Sequence, residues 1–368
     1  MKQIIIGDLH LGIKDSNQNF ITYQNKFFEE VLFHHMKDKD PNEYELVFLG
    51  DIFHNRRVMN IKTMHQIFHL FQNLQHLFHK INIIVGNHDL YFRNSYELSA
   101  SELMLDEIIP NTKMFQGYSF DETTDNLYVN WRNSREEYLD LFDEIDITVR
   151  KKVKRIYGHF ELFNFKFNAT IANDDDRSLS ETDLILKFPN TIKIYSGHFH
   201  SPQKSKFTNY VGVPYQLTWS EYGEKLGFYE LDLDTNIETF IANPHNIFEF
   251  LNFKTKKSIN EYIIDDDEYK KIYKIHYHKE TLKDLVISFM DKLSVIGHNV
   301  ILVNSFNKMI ADFDDNVDEN QLGLSMESLL EKYINDELEF PNKEIFFKMF
   351  MRFYQKTKNE MGQNIELM

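Results

Sequence analysis

The sequence predicts an α/β protein: a core of alternating strands and helices, a small α+β module behind it, and a helical C-terminal region. Three observations carry that expectation. Short apolar runs alternate with amphipathic stretches through the first two-thirds of the chain, the order that lays helices over the faces of a sheet. After Pro244 the pattern becomes shorter and mixed. Residues 312–321 are acidic and weakly hydrophobic, which suits a linker, and two helical stripes follow them. With 368 residues and 42 % hydrophobic composition, the chain is long and apolar enough to bury a full core.

Taken in order, residues 2–6, 45–49, 81–85, 155–157 and 191–195 are apolar runs expected as buried strands. Between them, residues 27–36 and 61–78 are expected as helices; in the second, Ile67, Leu70, Phe71, Leu74, Leu77 and Phe78 fall on one face. Residues 228–233 and 237–241 flank Asp234-Thr235-Asn236 and read as a hairpin. Strand 271–277, helix 281–293 and strand 299–304 compose the α+β module. Beyond the linker Ser325 is a suitable N-cap, and Met326, Leu329, Leu330, Tyr333, Ile334 and Leu338 recur at helical spacing. Pro341 fits the opening of a second helix, whose Ile345, Phe346, Met349, Phe350, Phe353 and Tyr354 form another stripe. The expected domains are 1–245, 246–310, a linker 311–324, a helical pair 325–358 and a tail 359–368.

Composition narrows the function. No apolar stretch approaches the length of a membrane span, and the run at 4–6 is too short for a signal peptide, so a cytoplasmic location is expected. Cysteine is absent, which excludes disulfides and thiolate chemistry and leaves His, Asp, Asn and Glu to hold any metal. Lys and Arg number 41 against 57 Asp and Glu, a net charge of −16. That argues against a broad electrostatic grip on nucleic acid, so any attraction to DNA must be local or come from bound metal or a partner.

Five polar clusters follow directly on the five predicted strands: Gly7-Asp8-Leu9-His10, Gly50-Asp51-Ile52-Phe53-His54, Gly86-Asn87-His88-Asp89, Gly158-His159 and Gly197-His198-Phe199-His200. In open α/β sheets, sites gather beyond the carboxyl ends of the strands, and glycine there lets the backbone turn sharply. Singly each cluster is an ordinary turn or a satisfied histidine. Five strand ends delivering such residues in this order are hard to explain by packing. Asp8, His10, Asp51, Asn87, His159, His198 and His200 offer only oxygen and imidazole nitrogen. Seven donors exceed the need of one ion and suit two that share a bridging carboxylate. Without sulfur they favour Mn(II), Fe(II) or Zn(II), with Mg(II) as a further option and Mn(II) preferred for an enzyme acting on DNA. Two ions roughly 3.5–4 Å apart can hold a bridging hydroxide and stabilise both oxygens of an in-line displacement, which is phosphoester hydrolysis.

These motifs, in this order, resemble the calcineurin-like metallophosphoesterases, and their variant is similar to the SbcD family, the nuclease subunits of double-strand-break repair complexes. Asp8-Leu9-His10-Leu11-Gly12, Gly50-Asp51-Ile52-Phe53-His54 and Tyr210-Val211-Gly212-Val213-Pro214 carry the second likeness. In length and C-terminal layout the chain is most similar to that family's T-even-type phage members. The resemblance is strong to about Pro214, fair to Ile241 and architectural beyond. It implies a sandwich of two central β-sheets flanked by helices, with a capping module that recognises DNA and a C-terminal partner-binding region. By motif position, Asp8, His10 and His200 would hold one ion, and Asn87, His159 and His198 the other, with Asp51 bridging. His88 would act as general acid, His54 would contact the phosphate, and Asp89 would orient His88 or neighbouring backbone. The resemblance further implies 3′-to-5′ exonuclease action on duplex ends, single-strand endonuclease action, and a partner: a coiled-coil ABC-type ATPase of the SbcC type, docked on the C-terminal helices. It also implies a homodimer through the nuclease domain, with residues 61–78 and 98–109 as candidate surfaces.

Arg56, Arg57, Arg93, Lys204 and Lys206 follow the motifs closely and are the candidate DNA contacts at the rim. The basic run 150–155 reads as a solvated helix end, and His65 with His69, one helical turn apart, as an ordinary helix surface. Two other functions compete: a phosphatase or cyclic-nucleotide phosphodiesterase of the same superfamily, and a non-catalytic scaffold subunit. The protein phosphatases of the superfamily read Gly-Asp-x-Val-Asp-Arg-Gly and Gly-Asn-His-Glu where this chain has Gly50-Asp51-Ile52-Phe53-His54 and Gly86-Asn87-His88-Asp89, which favours the nuclease. Every expected ligand is present, which weighs against the scaffold.

Overall fold

Successive residues of a strand face opposite ways, and here both faces are apolar. The computed structural model describes residues 1–303 except 93–94, 98, 100–109, 116, 167–172 and 265–266. Strands β1 (Lys2–Ile6), β2 (Tyr44–Phe48), β3 (Lys80–Ile83) and β4 (Thr112–Lys113) pair in parallel, and β11 (Gly227–Asp232) and β12 (Glu238–Ala242) extend that sheet antiparallel, in the order β12-β11-β1-β2-β3-β4. A second sheet has the order β5-β6-β7-β8-β10-β9, from β5 (Tyr118–Asp121), β6 (Asn126–Val129), β7 (Arg155–Gly158), β8 (Lys193–Ser196), β9 (Gln203–Lys204) and β10 (Thr208–Tyr210). Its β6, β7, β8 and β10 are parallel neighbours.

The alternation builds three cores. Ile5, Val47, Leu49 and Ile84 of the first sheet meet Tyr128, Tyr157, Tyr195 and Val211 of the second. On the outer face of the first sheet, Ile4, Ile6, Leu46, Phe48, Ile81 and Ile83 pack with helices α1 (Gln18–Phe27) and α2 (Ile61–Leu77). On the outer face of the second, Leu127, Val129, Ile156 and Ile194 pack with α3 (Arg135–Glu144) and α4 (Glu181–Lys187). This is the two-sheet sandwich flanked by helices that the motifs implied.

All five predicted strands are present, each within three residues of the expected bounds. The first helix begins much earlier than residue 27. Asn17 caps it by accepting from Asn19 N–H at 2.9 Å, and it continues past Phe27 through a π-helical stretch, Phe28–Phe33, to His34–Met36. Its first half was hidden because Gln24 sits buried on the inward face, bonded to Gln66 at 3.4 Å. In α2 the residues Ile67, Leu70, Phe71 and Leu74 are buried in the core of their own chain. That stripe is spent within the chain's own core; of residues 98–109, only Ser99 is described.

Between the sheets the contact is unusually polar. Tyr128, Tyr157 and Tyr195 are in register on neighbouring strands, their rings stacked at 5.1 and 5.2 Å. Gln3 Nε2 donates to Glu45 Oε2 at 2.7 Å and to Tyr128 OH at 3.2 Å, and Tyr157 OH donates back to Gln3 Oε1. Each aromatic pair is worth about 0.5–1.5 kcal/mol beyond its buried area, and the hydroxyls need these partners once buried.

Later in the chain, β13 (Phe248–Phe253), β14 (Ile272–Tyr277) and β15 (Asn299–Leu302) form a third sheet, and α5 (Lys283–Val295) lies between the last two in sequence, as expected of the α+β module; β13 was not expected. The described residues divide into two compact units, Met1–Phe250 with Tyr262–Tyr273 and Met290–Val300, and Leu251–Glu261 with Lys274–Phe289 and 301–303. The predicted linker, helical pair and tail lie outside the described residues. Among those described, no helix is long and apolar enough to cross a membrane.

Glu230 on β11 gathers three partners: the cations Lys2 of β1 at 3.3 Å and Lys39, and the His35 ring at 2.7 Å. Burial alone would raise its pKa, but hydrogen bonds from Lys39 and His35 outweigh that and hold it at about 2. The depressed value means stability that is full above the ordinary glutamate range and lost as pH falls through the folded value. Glu230→Gln is therefore expected to cost about 1–3 kcal/mol at pH 7, with the gap to wild type narrowing between about pH 5 and pH 2. Denaturant unfolding across that range measures it; a gap independent of pH would remove the ionic account.

Candidate metal centre

The strand register sets the site. Ile6, Phe48 and Ile83 are aligned across β1, β2 and β3, and Gly158 is aligned with Ser196 across β7 and β8, so the loops after these strands leave each sheet at a common level. Two glycines make room: a Cβ on Gly50, whose φ is 103°, would meet His159 Nδ1 at 2.5 Å, and one on Gly86 would meet Asp51 Oδ1 at 2.2 Å. Three of the seven predicted ligands themselves have left-handed backbones, His10 at φ 47°, Asp51 at 51° and His198 at 80°. Such a conformation costs on the order of 1–3 kcal/mol per residue and persists only where surrounding structure enforces it.

All seven side chains converge. His10 Nε2 and His200 Nε2 are 3.1 Å apart, and with Asp8 they form one group that could hold an ion. Asn87 Oδ1 lies 3.1 Å from His159 Nε2 and 3.2 Å from His198 Nδ1. Between the two sets stands Asp51 Oδ2, 3.7 Å from His10 Nε2 and 3.4 Å from His159 Nε2. Donors bound to one ion at about 2.0–2.2 Å sit roughly 3 Å from each other, so this spacing and the N/O donor chemistry fit a metal pair.

The protonation pattern follows from burial. Asp8 and Asp51 are almost fully buried. Burial pushes the Asp8 carboxyl up, with the His159 charge opposing. For Asp51 burial is outweighed by His159 and His10, which hold it well below the usual carboxylate range. Burial would lower His159, but the charges of Asp51 and Asp8 push it up to about 9, while burial drives His10 well down. Two buried carboxylates thus draw a proton into the cluster, the role a bound cation would take over.

Neighbouring groups aim the rings. His159 Nδ1 faces the Leu49 carbonyl at 2.8 Å, leaving Nε2 turned to the centre. His200 Nδ1 faces Glu221 Oε1 at 3.1 Å, again leaving Nε2 inward. His198 Nε2 is 3.4 Å from Glu161 Oε2, and the Trp131 ring packs 4.8 Å from the His198 ring. Glu161, Glu221 and Trp131 were not among the predicted residues. Glu221 left a signal, since Thr218-Trp219-Ser220-Glu221 has the capping-box spacing that the structure forms; Glu161 stands two residues beyond His159, and Trp131 left none.

His88 Nδ1 lies 2.8 Å from the His54 carbonyl, and the His54 and His88 rings stack at 5.6 Å beside His10. Asp89 does not touch the His88 ring. Its carboxylate accepts from the backbone N–H groups of Asp51 and Gly86 at 2.9 Å and of Phe53 at 3.1 Å, so of the two expected roles it takes the backbone one. Burial, then the charge of Asp51, pushes Asp89 up to about 7 against those donors. Arg56 and Arg57 line a cleft of about 730 Å³ together with His54 and His88. Lys204 and Lys206 do not join the site. Lys204 pairs with Glu238 at 3.1 Å, and Lys206 lies past it, toward the amino end of β10, away from the strand ends that carry the donors. Arg93 lies outside the described residues.

Residues 1–233 match the model of a family described as calcineurin-like phosphoesterase. Exonuclease subunit 1 of Enterobacteria phage T4 is 25 % identical over 342 residues, 91 % of this chain and 92 % of that protein. A solved structure from Aquifex aeolicus, described as a protein of unknown function, covers 56 % of this chain and 82 % of its own at 16 % identity, with a TM-score of 0.28 that supports no argument.

Glu221 Oε2 is taken by the backbone N–H groups of Leu217 and Thr218, so only Oε1 addresses His200. Glu221→Gln would turn an amide N–H₂ toward Nδ1 and force the proton to Nε2, the nitrogen that faces the centre. Mn(II) affinity is expected to fall about 10- to 100-fold with the fold retained. Calorimetric titration beside a thermal melt checks this, and unchanged affinity would refute it.

Proposed function

The chain belongs to the calcineurin-like phosphoesterase family, and we propose that it is a DNA nuclease working with two Mn(II) ions. The observation that carries this reading is the convergence of seven donors in two sets joined by one carboxylate oxygen. Asp8, His10 and His200 would hold one ion and Asn87, His159 and His198 the other, with Asp51 between them. When bound, such a pair supplies positive charge at the attacking and leaving oxygens of a phosphodiester and activates water at neutral pH. DNA as substrate is supported by the relative named an exonuclease subunit, which aligns over nine-tenths of both chains.

The chain's own residues divide the remaining work. His88, with Nδ1 held on the His54 carbonyl, presents Nε2 as the atom that passes a proton to the leaving oxygen. His54 and Arg56 and Arg57, along the same cleft, bind the phosphates flanking the scissile one. Asp89 ties the Asp51 loop to the Asn87 loop, so it acts by positioning. Residues 1–245 are the nuclease domain in this reading, 246–310 a module that recognises DNA, and 325–358 a helical pair, tethered by 311–324, that docks a coiled-coil ABC-type ATPase. The same reading includes 3′-to-5′ action on duplex ends, single-strand endonuclease action and a homodimer through the nuclease domain.

The direct test compares linear duplex DNA with p-nitrophenyl phosphate and its bis ester in the presence of Mn(II). DNA degradation is expected, and hydrolysis of the monoester alone would make the chain a phosphatase. Asp8→Ala is expected to abolish turnover and reduce the bound metal. His88→Asn is expected to keep both ions and lose about 10²–10⁴-fold in turnover; lost metal binding instead would make His88 a ligand. A chain ending at Ala311 is expected to keep Mn(II)-dependent cleavage of simple substrates and to lose co-purification with the ATPase. Full co-purification would place docking elsewhere.

A further inference from the structure

The cleft beside the centre has a wall that phosphate chemistry does not require. His54 and His88 line it on the side of the centre, Arg56 and Arg57 give it positive charge, and Asp15 is the one carboxylate among the described residues of its lining. Tyr91, two residues past Asp89, completes the lining. Tyr91 is 37 % exposed, and Phe92 beside it is 48 % exposed. The two rings meet edge to face at 4.6 Å, so Phe92 braces Tyr91 while both remain in contact with water. The neighbouring Asp89 and Leu90 are buried, which fixes the backbone from which Tyr91 projects. Leaving two large aromatic surfaces in water at the mouth of a charged cleft forgoes burial that either ring would gain in the core.

Resting on the nuclease reading above, we propose that Tyr91, braced by Phe92, is a stacking platform for an unpaired nucleobase one or two nucleotides from the phosphate at the metal centre. Guanidinium groups grip a strand by its phosphates without regard to its bases. A flat aromatic ring adds affinity only for a base whose π-face is open, and in an intact duplex those faces are sealed by stacking. The two together select a single strand or a frayed end. The platform is also indifferent to sequence, because every base has a π-face.

The test measures the affinity of the full-length protein, in Ca(II) to suppress turnover, for oligothymidylate and for an oligomer of the same length made of tetrahydrofuran abasic units. The two probes share their phosphates and differ in the bases. Wild type is expected to prefer oligothymidylate by about 5- to 100-fold, the range of base–aromatic stacking. Tyr91→Ala is expected to erase that preference, and Tyr91→Phe and Tyr91→Trp to keep it. Mn(II) binding and a thermal melt of Tyr91→Ala, a change at an exposed side chain, report whether the centre and fold are intact. A Tyr91→Ala variant that still prefers the base-bearing strand by the wild-type factor overturns the proposal, as does a wild type that does not distinguish the probes. A wild type that hydrolyses bis-p-nitrophenyl phosphate but binds neither oligomer overturns the nuclease reading and this inference together; one that degrades DNA without preferring bases overturns the inference alone.

Discussion

Three carboxylates buried at one place are the constraint on which the rest of this structure depends. Asp8, Asp51 and Asp89 are each no more than 2 % exposed. Removing even one ionised carboxylate from water costs several kcal/mol unless protein groups replace the lost hydration. The replacement is backbone amide wherever it is available. Asp89 accepts from three N–H groups, both Asp8 oxygens accept from His198 N–H at 3.1 and 3.0 Å, and Asp51 Oδ1 accepts from His88 N–H at 2.7 Å. What the amides leave over is Asp51 Oδ2 and part of Asp8, both facing imidazoles. The left-handed residues and the two crowded glycines are the backbone's means of bringing those amides within reach.

That division of labour explains what could be read from the sequence. The donors themselves were legible, because each stands after a strand whose apolar run is unmistakable and a glycine marks the turn. The groups that aim them were not. A carboxylate that serves backbone amides looks the same in sequence as one that serves a histidine, so Asp89 beside His88 left two roles open that only geometry separates. Glu221 is 21 residues from the histidine it orients, and the Leu49 carbonyl that turns His159 has no side-chain signature at all. The fold was legible for the same reason and to the same extent. Strands with two apolar faces announce themselves, whereas β6 contains Asn126 and Tyr128 and α1 carries buried Gln24, whose partner Gln66 lies 42 residues away in sequence.

The net charge of −16 is reconciled with the proposed polyanionic substrate by distance. Charges separated by more than about 8–10 Å are largely screened at ordinary ionic strength, so the total matters less than what lines the cleft. There Arg56 and Arg57 share the lining with one carboxylate among the described residues, Asp15. Lys204, which sequence proximity alone had placed at the rim, is held by Glu238 and lies over the Tyr229 ring at 4.5 Å. Its cation is already used to bind one sheet to the other, since Glu238 belongs to the first sheet and Lys204 to the second. Proximity in sequence to a motif is therefore weak evidence of a place in the site; strand direction is better, because β9 runs antiparallel to β10 and carries its residues away from the edge where the donors gather.

The two candidate ion sites also depend on the sandwich as a whole, because neither is made by one sheet. His10 follows β1 and His200 follows β8; Asn87 follows β3, whereas His159 follows β7 and His198 follows β8. Each donor set spans both sheets, and Asp51 from the first sheet reaches across to His159 of the second at 3.4 Å. A slide of one sheet over the other by an ångström would separate both sets at once, since metal–ligand distances tolerate only about 0.2 Å. A purely apolar interface resists such sliding weakly, because hydrophobic contact is non-directional. Hydrogen bonds are directional, and here they cross the interface at its centre: Gln3 of β1 bonds to Tyr128 of β6 and Tyr157 of β7. Gln3, Tyr128 and Tyr157, polar groups buried between two apolar sheet faces, are thus the ones that hold the two sheets in register at the donor cluster.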